Sequence, residues 1–317
     1  MDFEFSSFEI MLFWIIVVSI PIAYYFLKPK KEKAMVLQKP DFNKDVVYLV
    51  QFPVSPQIRT ISPFALKLET YLRMNKVNYE PVYALAFSKK GQIPYIELNG
   101  EQIADSNIII KELEQKGITK HDEVSEDQKA VNHLAIRTVE NHLAWTGFLW
   151  RYGFHMPEFY DKLCEPYYGK SRSLFFFKNV QPTTYRFNSK IHGIGRHSME
   201  EVTEFAGQDL KGTKIMIITI TRNNVISNVN FAALSNILGD KKFFNGDEPT
   251  NIDCAMFGHL VQFVYMPLDI PHKHYILKEC KNLSDFVDRM KDRFWSDWDE
   301  MCKGSCMNGH RGITYEQ

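Results

Sequence analysis

The stretch from Gln92 to Lys111, Q-I-P-Y-I-E-L-N-G-E-Q-I-A-D-S-N-I-I-I-K, constrains the fold more than any other part of the chain. Pro94 follows a β-branched residue and opens an alternating strand from Tyr95 to Leu98, and Asn99-Gly100 is a strong two-residue hairpin signal. The returning strand ends at Ala104. Asp105 and Ser106 then supply capping side chains just before Ile108, Ile109, Ile110 and Leu113 open an apolar helical face. A helix start with a hydroxyl and main-chain amides is a ready site for a carboxylate or phosphate.

Upstream, Val46 to Phe52 is a short apolar run of the kind a central strand shows. Ser62 stands as the N-cap and Pro63 as the first residue of a helix whose Phe64, Leu66, Leu68, Tyr71, Leu72 and Met74 are mostly at helical spacing. Val77 to Tyr83 gives a further strand. The order is therefore βαββα, a thioredoxin-like domain over residues 45–118.

The proline before the hairpin and the acidic-Ser helix start resemble the thioredoxin-like domain of glutathione transferases. The resemblance implies glutathione as ligand or substrate. The Ile93 backbone and Pro94 would hold its cysteinyl moiety, and Asp105 with Ser106 its γ-glutamyl end. Ser62-Pro63-Phe64 resembles the Ser-Pro-Phe or Cys-Pro-Phe helix start of several transferase classes. By that likeness Ser62 is the candidate catalytic residue, its hydroxyl and helix end favouring a thiolate. A serine there favours conjugation or binding, where a cysteine would favour disulfide chemistry.

The connection from Ala84 to Ile93 is only ten residues long and leaves little room for the helix most transferases place there. This shortening resembles a divergent branch that includes metaxins, the failed-axon-connections proteins and cadmium-responsive membrane proteins of nematodes. The likeness to that branch implies a role in cadmium or xenobiotic stress. Its alternative is a non-catalytic adaptor using the same fold for protein interaction.

Beyond Gly117 the pattern is helical, and residues 119–301 are expected to form an all-α, transferase-like second domain. Ser198 and Glu201 make a capping box within H-G-I-G-R-H-S-M-E-E, a stretch similar to one in the failed-axon-connections relatives. Thr250 and Asp253 make another within F-N-G-D-E-P-T-N-I-D, similar to the capping motif of the transferase helical domain. Residues 212–231 are rich in Ile, Asn, Thr and Val and read as an insert, a translated intron or isoform segment, or else a hairpin with Asn223-Asn224 at its tip.

The amino terminus departs from a globular pattern. After a short tail, residues 1–9, Ile10 to Leu27 holds eighteen residues without a charge, followed by Lys28, Lys30, Lys31 and Lys33. A span needs about twenty apolar residues, and basic flanks stay in the cytosol. The expectation is a single transmembrane helix over 10–27 with the bilayer as partner, a linker over 28–44, and a single-pass protein whose folded domains face the cytosol.

Lys plus Arg equals Asp plus Glu at 38 each, which argues against a nucleic-acid partner. Glutathione and a second copy, as a homodimer, are the remaining partners expected. The five cysteines show no disulfide spacing. In the tail, residues 302–317, Cys302, Cys306 and His310 are a weak metal-ligand set without the second pair of a zinc site.

Overall fold

The computed structural model describes residues 14–17, 19–20, 36–55, 57–164, 180–211, 219–221, 224–226 and 234–303. The chain divides into two units, 1–36 and 37–317.

In the first unit the expected membrane span is not found. No helix of the described residues is long and apolar enough to cross a membrane. Within 10–27 the described helical residues are 14–17 and 19–20, and the remainder lie outside the described residues. The single-pass topology, the cytosol-facing placement and the bilayer partner through 10–27 fall with that helix.

The second unit opens on the expected βαββα order. Strands β1 (Val47–Gln51), β2 (Tyr79–Tyr83), β3 (Tyr95–Leu98) and β4 (Glu101–Ala104) form one sheet in the order β2-β1-β3-β4. The β1–β2 pair is parallel and the other two pairs are antiparallel. Helix α1 (Pro63–Met74) makes the crossover between the parallel strands, and α2 (Ser106–Gln115) follows β4. Alternation along β1 decides the layers. Val47 and Leu49 face a core shared with Leu68, Tyr71 and Leu72 of α1 and Ile109 and Leu113 of α2, whereas Tyr48 and Val50 join Val82, Tyr95 and Ala104 on the other face.

The short connection 84–94 carries no helix, as its length predicts. Residues 38–43 lie at the sheet instead. The Gln38 and Lys39 amides donate to the Glu97 carboxylate, and the Asn43 amide donates to the Tyr48 hydroxyl.

The helical part begins with α3 (Glu126–Thr138), capped by a box between Ser125 and Gln128. The chain then alternates π-helical turns, Val139–Leu143, Leu149–Phe154 and Tyr160–Cys164, with short helices α4 (Ala144–Phe148) and α5 (Met156–Phe159). Helices α6 (Gln181–His192) and α7 (Met199–Lys211) follow, the latter opened by the expected Ser198–Glu201 box. Within 212–231 the described residues form a small hairpin, β5 (Thr219–Thr221) with β6 (Asn224–Ile226). The rest of that segment lies outside the described residues.

After α8 (Leu234–Leu238), the apolar helix α9 (Asn251–Val264) runs through the largest core cluster. Its capping box is formed as expected: Asp253 accepts from the Thr250 amide and hydroxyl and from the Phe244 amide. Burial pushes the Asp253 carboxyl up to about 6 despite these bonds. Helices α10 (Pro271–Glu279), α11 (Lys281–Phe294) and α12 (Trp298–Lys303) close the chain against α1. There Arg73 forms a two-pronged pair with Asp297, at 2.7 and 2.9 Å, and stacks 3.8 Å from the Trp295 ring.

Two imidazoles are carried neutral inside the helical part. Burial lowers His259 to about 4 and His272 to about 3. His272 stacks on Phe263 and its Nε2 meets the Thr146 hydroxyl at 3.0 Å. An unfolded histidine takes a proton near pH 6.5, so each depressed group contributes stability that is complete above 6.5 and lost as pH falls towards its folded value. Replacing His272 with glutamine should therefore flatten the stability curve below pH 6.5 by about 1.4 kcal/mol per pH unit. Urea unfolding at pH 7, 6 and 5 checks this, and parallel curves for the two proteins would contradict it.

Candidate functional site

Strand register gathers the candidate residues at one end of the sheet. Tyr95 lies opposite Val50 on one side and Ala104 on the other, so Pro94 sits where β1 runs out and beside the Asp105 turn. The Ile93–Pro94 bond is cis. Asp105 has φ of 83°, a left-handed conformation that costs a non-glycine residue about 1–3 kcal/mol. In return its carboxylate accepts from the Asn107 and Ile108 amides at 3.0 and 3.2 Å, two of the amides a helix start would otherwise leave open.

Ser106 is 6% exposed, and its oxygen is 3.4 Å from the Lys67 ammonium. The same ammonium donates to Asn107 Oδ1 and Glu140 Oε1, both at 2.7 Å, while Asn107 Nδ2 donates to Glu140 Oε2 at 2.9 Å. Lys67 and Glu140 are 1% and 3% exposed, a fully desolvated ion pair tying α1 and α2 to the first π turn. Burial alone would raise the Glu140 carboxyl. The Lys67 charge and the bonds from Lys67 and Asn107 instead hold it below the usual carboxylate range.

Ser62 stands at the start of the same helix, five residues before Lys67. It is 7% exposed, and its hydroxyl oxygen accepts from the Ala65 amide at 3.3 Å as the cap of α1. The loop before it is pinned to the helical part: Arg151 donates to the Ile61 carbonyl at 3.0 Å and to Gln262 Oε1 at 3.0 Å, and Gln262 donates to the Thr60 carbonyl. The cavity beside Pro63, lined by Phe148, Arg151, His259, Gln262 and Phe263 among others, holds about 10 Å³, room for one water. His259 Nε2 has no partner there, while Nδ1 meets the Ala255 carbonyl at 2.9 Å.

The arrangement thus brings Pro94, Asp105 and Ser106 together, with Ser62 at the start of the helix that carries Lys67. Chemically it offers a hydroxyl donor, a buried cation and a buried anion at a helix start. Lys67, Asn107, Glu140 and Arg151 were not apparent as site residues from sequence. For Lys67 and Glu140 the signal is a charge on an apolar helical face: Lys67 shares a face with Pro63, Phe64 and Tyr71, and Glu140 with Ile136 and Ala144. Of the metal-ligand set, Cys306 and His310 lie outside the described residues, and burial pushes the Cys302 thiol up to about 11. Among the described residues no group of three or more His, Cys, Asp or Glu side chains could hold a metal ion.

This fold is that of a glutathione-transferase-like protein. The family models for the glutathione S-transferase N-terminal domain and C-terminal domain match residues 63–158 and 228–290. Failed axon connections of Drosophila melanogaster is 39% identical over 307 residues, 92% of this chain and 68% of that protein. A Metaxin-2 homolog of Caenorhabditis elegans is 27% identical over 63% of this chain and 79% of that one. The isoprene-epoxide glutathione S-transferase of Rhodococcus sp. (strain AD45) is 26% identical over 75% of this chain and 94% of that one. Among solved structures, the beta-etherase LigF of Sphingobium sp. strain SYK-6 aligns with a TM-score of 0.52 at 15% identity, over 80% of this chain and 98% of that chain. The chain belongs to the glutathione S-transferase family, in its failed-axon-connections and metaxin branch.

Proposed function

We propose that this protein binds glutathione, with the γ-glutamyl end at the Asp105–Ser106 turn and the cysteinyl part along Ile93 and Pro94. The observation that carries the reading is the strained Asp105 turn, φ 83°, which presents the Ser106 hydroxyl at a helix start beside Pro94. In this reading Ser106 donates to the γ-glutamyl carboxylate, and Ser62 orients the thiol. Glutathione supplies a soft thiol, so a role in cadmium or xenobiotic stress is part of the same proposal.

Calorimetry on the full chain tests it. Ser106→Ala should lose at least about 1 kcal/mol of glutathione affinity, roughly fivefold. Equal binding by both proteins would sink the assignment of Ser106.

A second reading, the non-catalytic interaction module, is favoured by the cavity of about 10 Å³ beside Pro63. The Ser62 hydroxyl oxygen is occupied as a cap, and Phe148, Arg151 and Gln262 line the small cavity beside Pro63. The expected outcome is glutathione binding without measurable conjugation of 1-chloro-2,4-dinitrobenzene. Turnover abolished by Ser62→Ala would instead establish the transferase reading. A homodimer belongs to the proposal too. Exposed Ile108 of α2 and Val131 and Leu134 of α3 support it, and light scattering reads its mass.

A further inference from the structure

Helix α6 presents an apolar seam that the rest of the described structure leaves open. Its inner face is held on the long helical run: Tyr185 packs on Tyr152 with ring centres 4.9 Å apart, His192 stacks on Trp145 at 4.1 Å, and Ser189 is fully buried. Its outer face carries Val180, Phe187 and Ile191, exposed by 40%, 63% and 66%, with exposed Thr184 between them. At about 100° per residue these four positions fall within a strip about 60° wide, and they extend about 16 Å along the axis.

Charge lines one side of that strip. On the same helical projection Lys190 lies about 60° beyond the edge of the strip, and Arg186, about 40° further round on that side, donates to the Gly153 carbonyl at 2.6 Å and covers the ring of half-exposed Phe154 at 5.0 Å. Neither Lys190 nor Arg186 has a carboxylate partner among the described residues. The sequence holds no Asp or Glu from Pro166 to Met199, in a chain whose formal charge as a whole is balanced. This is a local cationic border on an apolar seam.

From these observations we propose that α6 is a docking site for an amphipathic helix of a partner protein, one with acidic residues along one side of its own apolar seam. Seam width and charge select this occupant. A helix lying on a membrane needs a broad apolar face, and the strip here has the narrower width of a helix–helix seam. A second copy of this chain pairing symmetrically would set Lys190 and Arg186 against their own equivalents. An acidic helix satisfies both the seam and its border.

The test uses the full chain and three probes. They are a fluorescent peptide of about eighteen residues with a leucine seam bordered by glutamates, its counterpart with lysines in their place, and phosphatidylserine vesicles. The glutamate peptide should bind at least about tenfold more tightly than the lysine peptide. Phe187→Ser with Ile191→Ser should weaken it by at least about tenfold, and Lys190→Glu alone should narrow the preference between the peptides. These are surface positions, and unchanged thermal unfolding confirms that the variants fold. Absence of binding, equal binding of both peptides, indifference to the seam substitutions, or binding of vesicles in place of the peptide would each overturn the proposal. None of these outcomes depends on whether glutathione binds.

Discussion

Replacing Lys67 with methionine is expected to lower the stability of the folded chain by about 3–5 kcal/mol, the range seen when one partner of a buried ion pair is removed. The substitution keeps the length of the side chain and removes its charge. Glu140, 3% exposed, would keep Asn107 as a partner and lose the ammonium at 2.7 Å. Its carboxyl, now held low, would move upward as burial takes over, so the variant should regain stability as pH falls and Glu140 takes up a proton. Adding Glu140→Met removes a buried carboxylate left with only Asn107 and, at 3.9 Å, Arg137 beside it, and the double variant should recover most of the loss. Urea unfolding of the four proteins of the cycle reads the coupling directly. Additive losses from the two single substitutions would contradict a functional pair at this position.

The second large effect is expected at Gly258. Helices α1 and α9 cross there so closely that a Cβ on residue 258 would stand 2.5 Å from the Pro63 carbonyl oxygen and 2.7 Å from the Lys67 amide nitrogen. Both obstacles are backbone, which cannot rotate away. Gly258→Val should therefore cost about 3 kcal/mol or more, the upper end of overpacking. It should also displace the start of α1, with Ser62 and Lys67, from α2. Gly258→Ala gains about 1 kcal/mol of helix propensity in isolation and should still destabilise the protein. A melting temperature for the alanine variant at or above that of the parent would show that the crossing is looser than described.

The parts of this fold that depend on short-range chemistry were readable in advance. Asn99-Gly100 fixes the β3–β4 hairpin, Ser62-Pro63 the start of α1, and the Ser198–Glu201 and Thr250–Asp253 boxes the starts of α7 and α9, and each is found within a residue or two of its expected place. Tertiary partnership was less legible. Lys67 and Glu140 are 73 positions apart, and nothing local announces that one neutralises the other. The π turns at 139–143 and 149–154 are also hidden, since one extra residue per turn barely disturbs an apolar periodicity, yet they carry Glu140 and Arg151. The uncharged run 10–27 shows the opposite failure. Composition alone matched a membrane span, whereas no described helix has the length to make one.

The central claim is that the family's ligand site persists here for glutathione. Titration of the full chain with glutathione, beside the dipeptide cysteinylglycine, tests it most directly because the two differ only in the γ-glutamyl group assigned to Asp105 and Ser106. The account predicts saturable glutathione binding at least about fivefold tighter than that of the dipeptide, the worth of about 1 kcal/mol at the Ser106 end. No saturable binding, or equal affinity for the two, would contradict it.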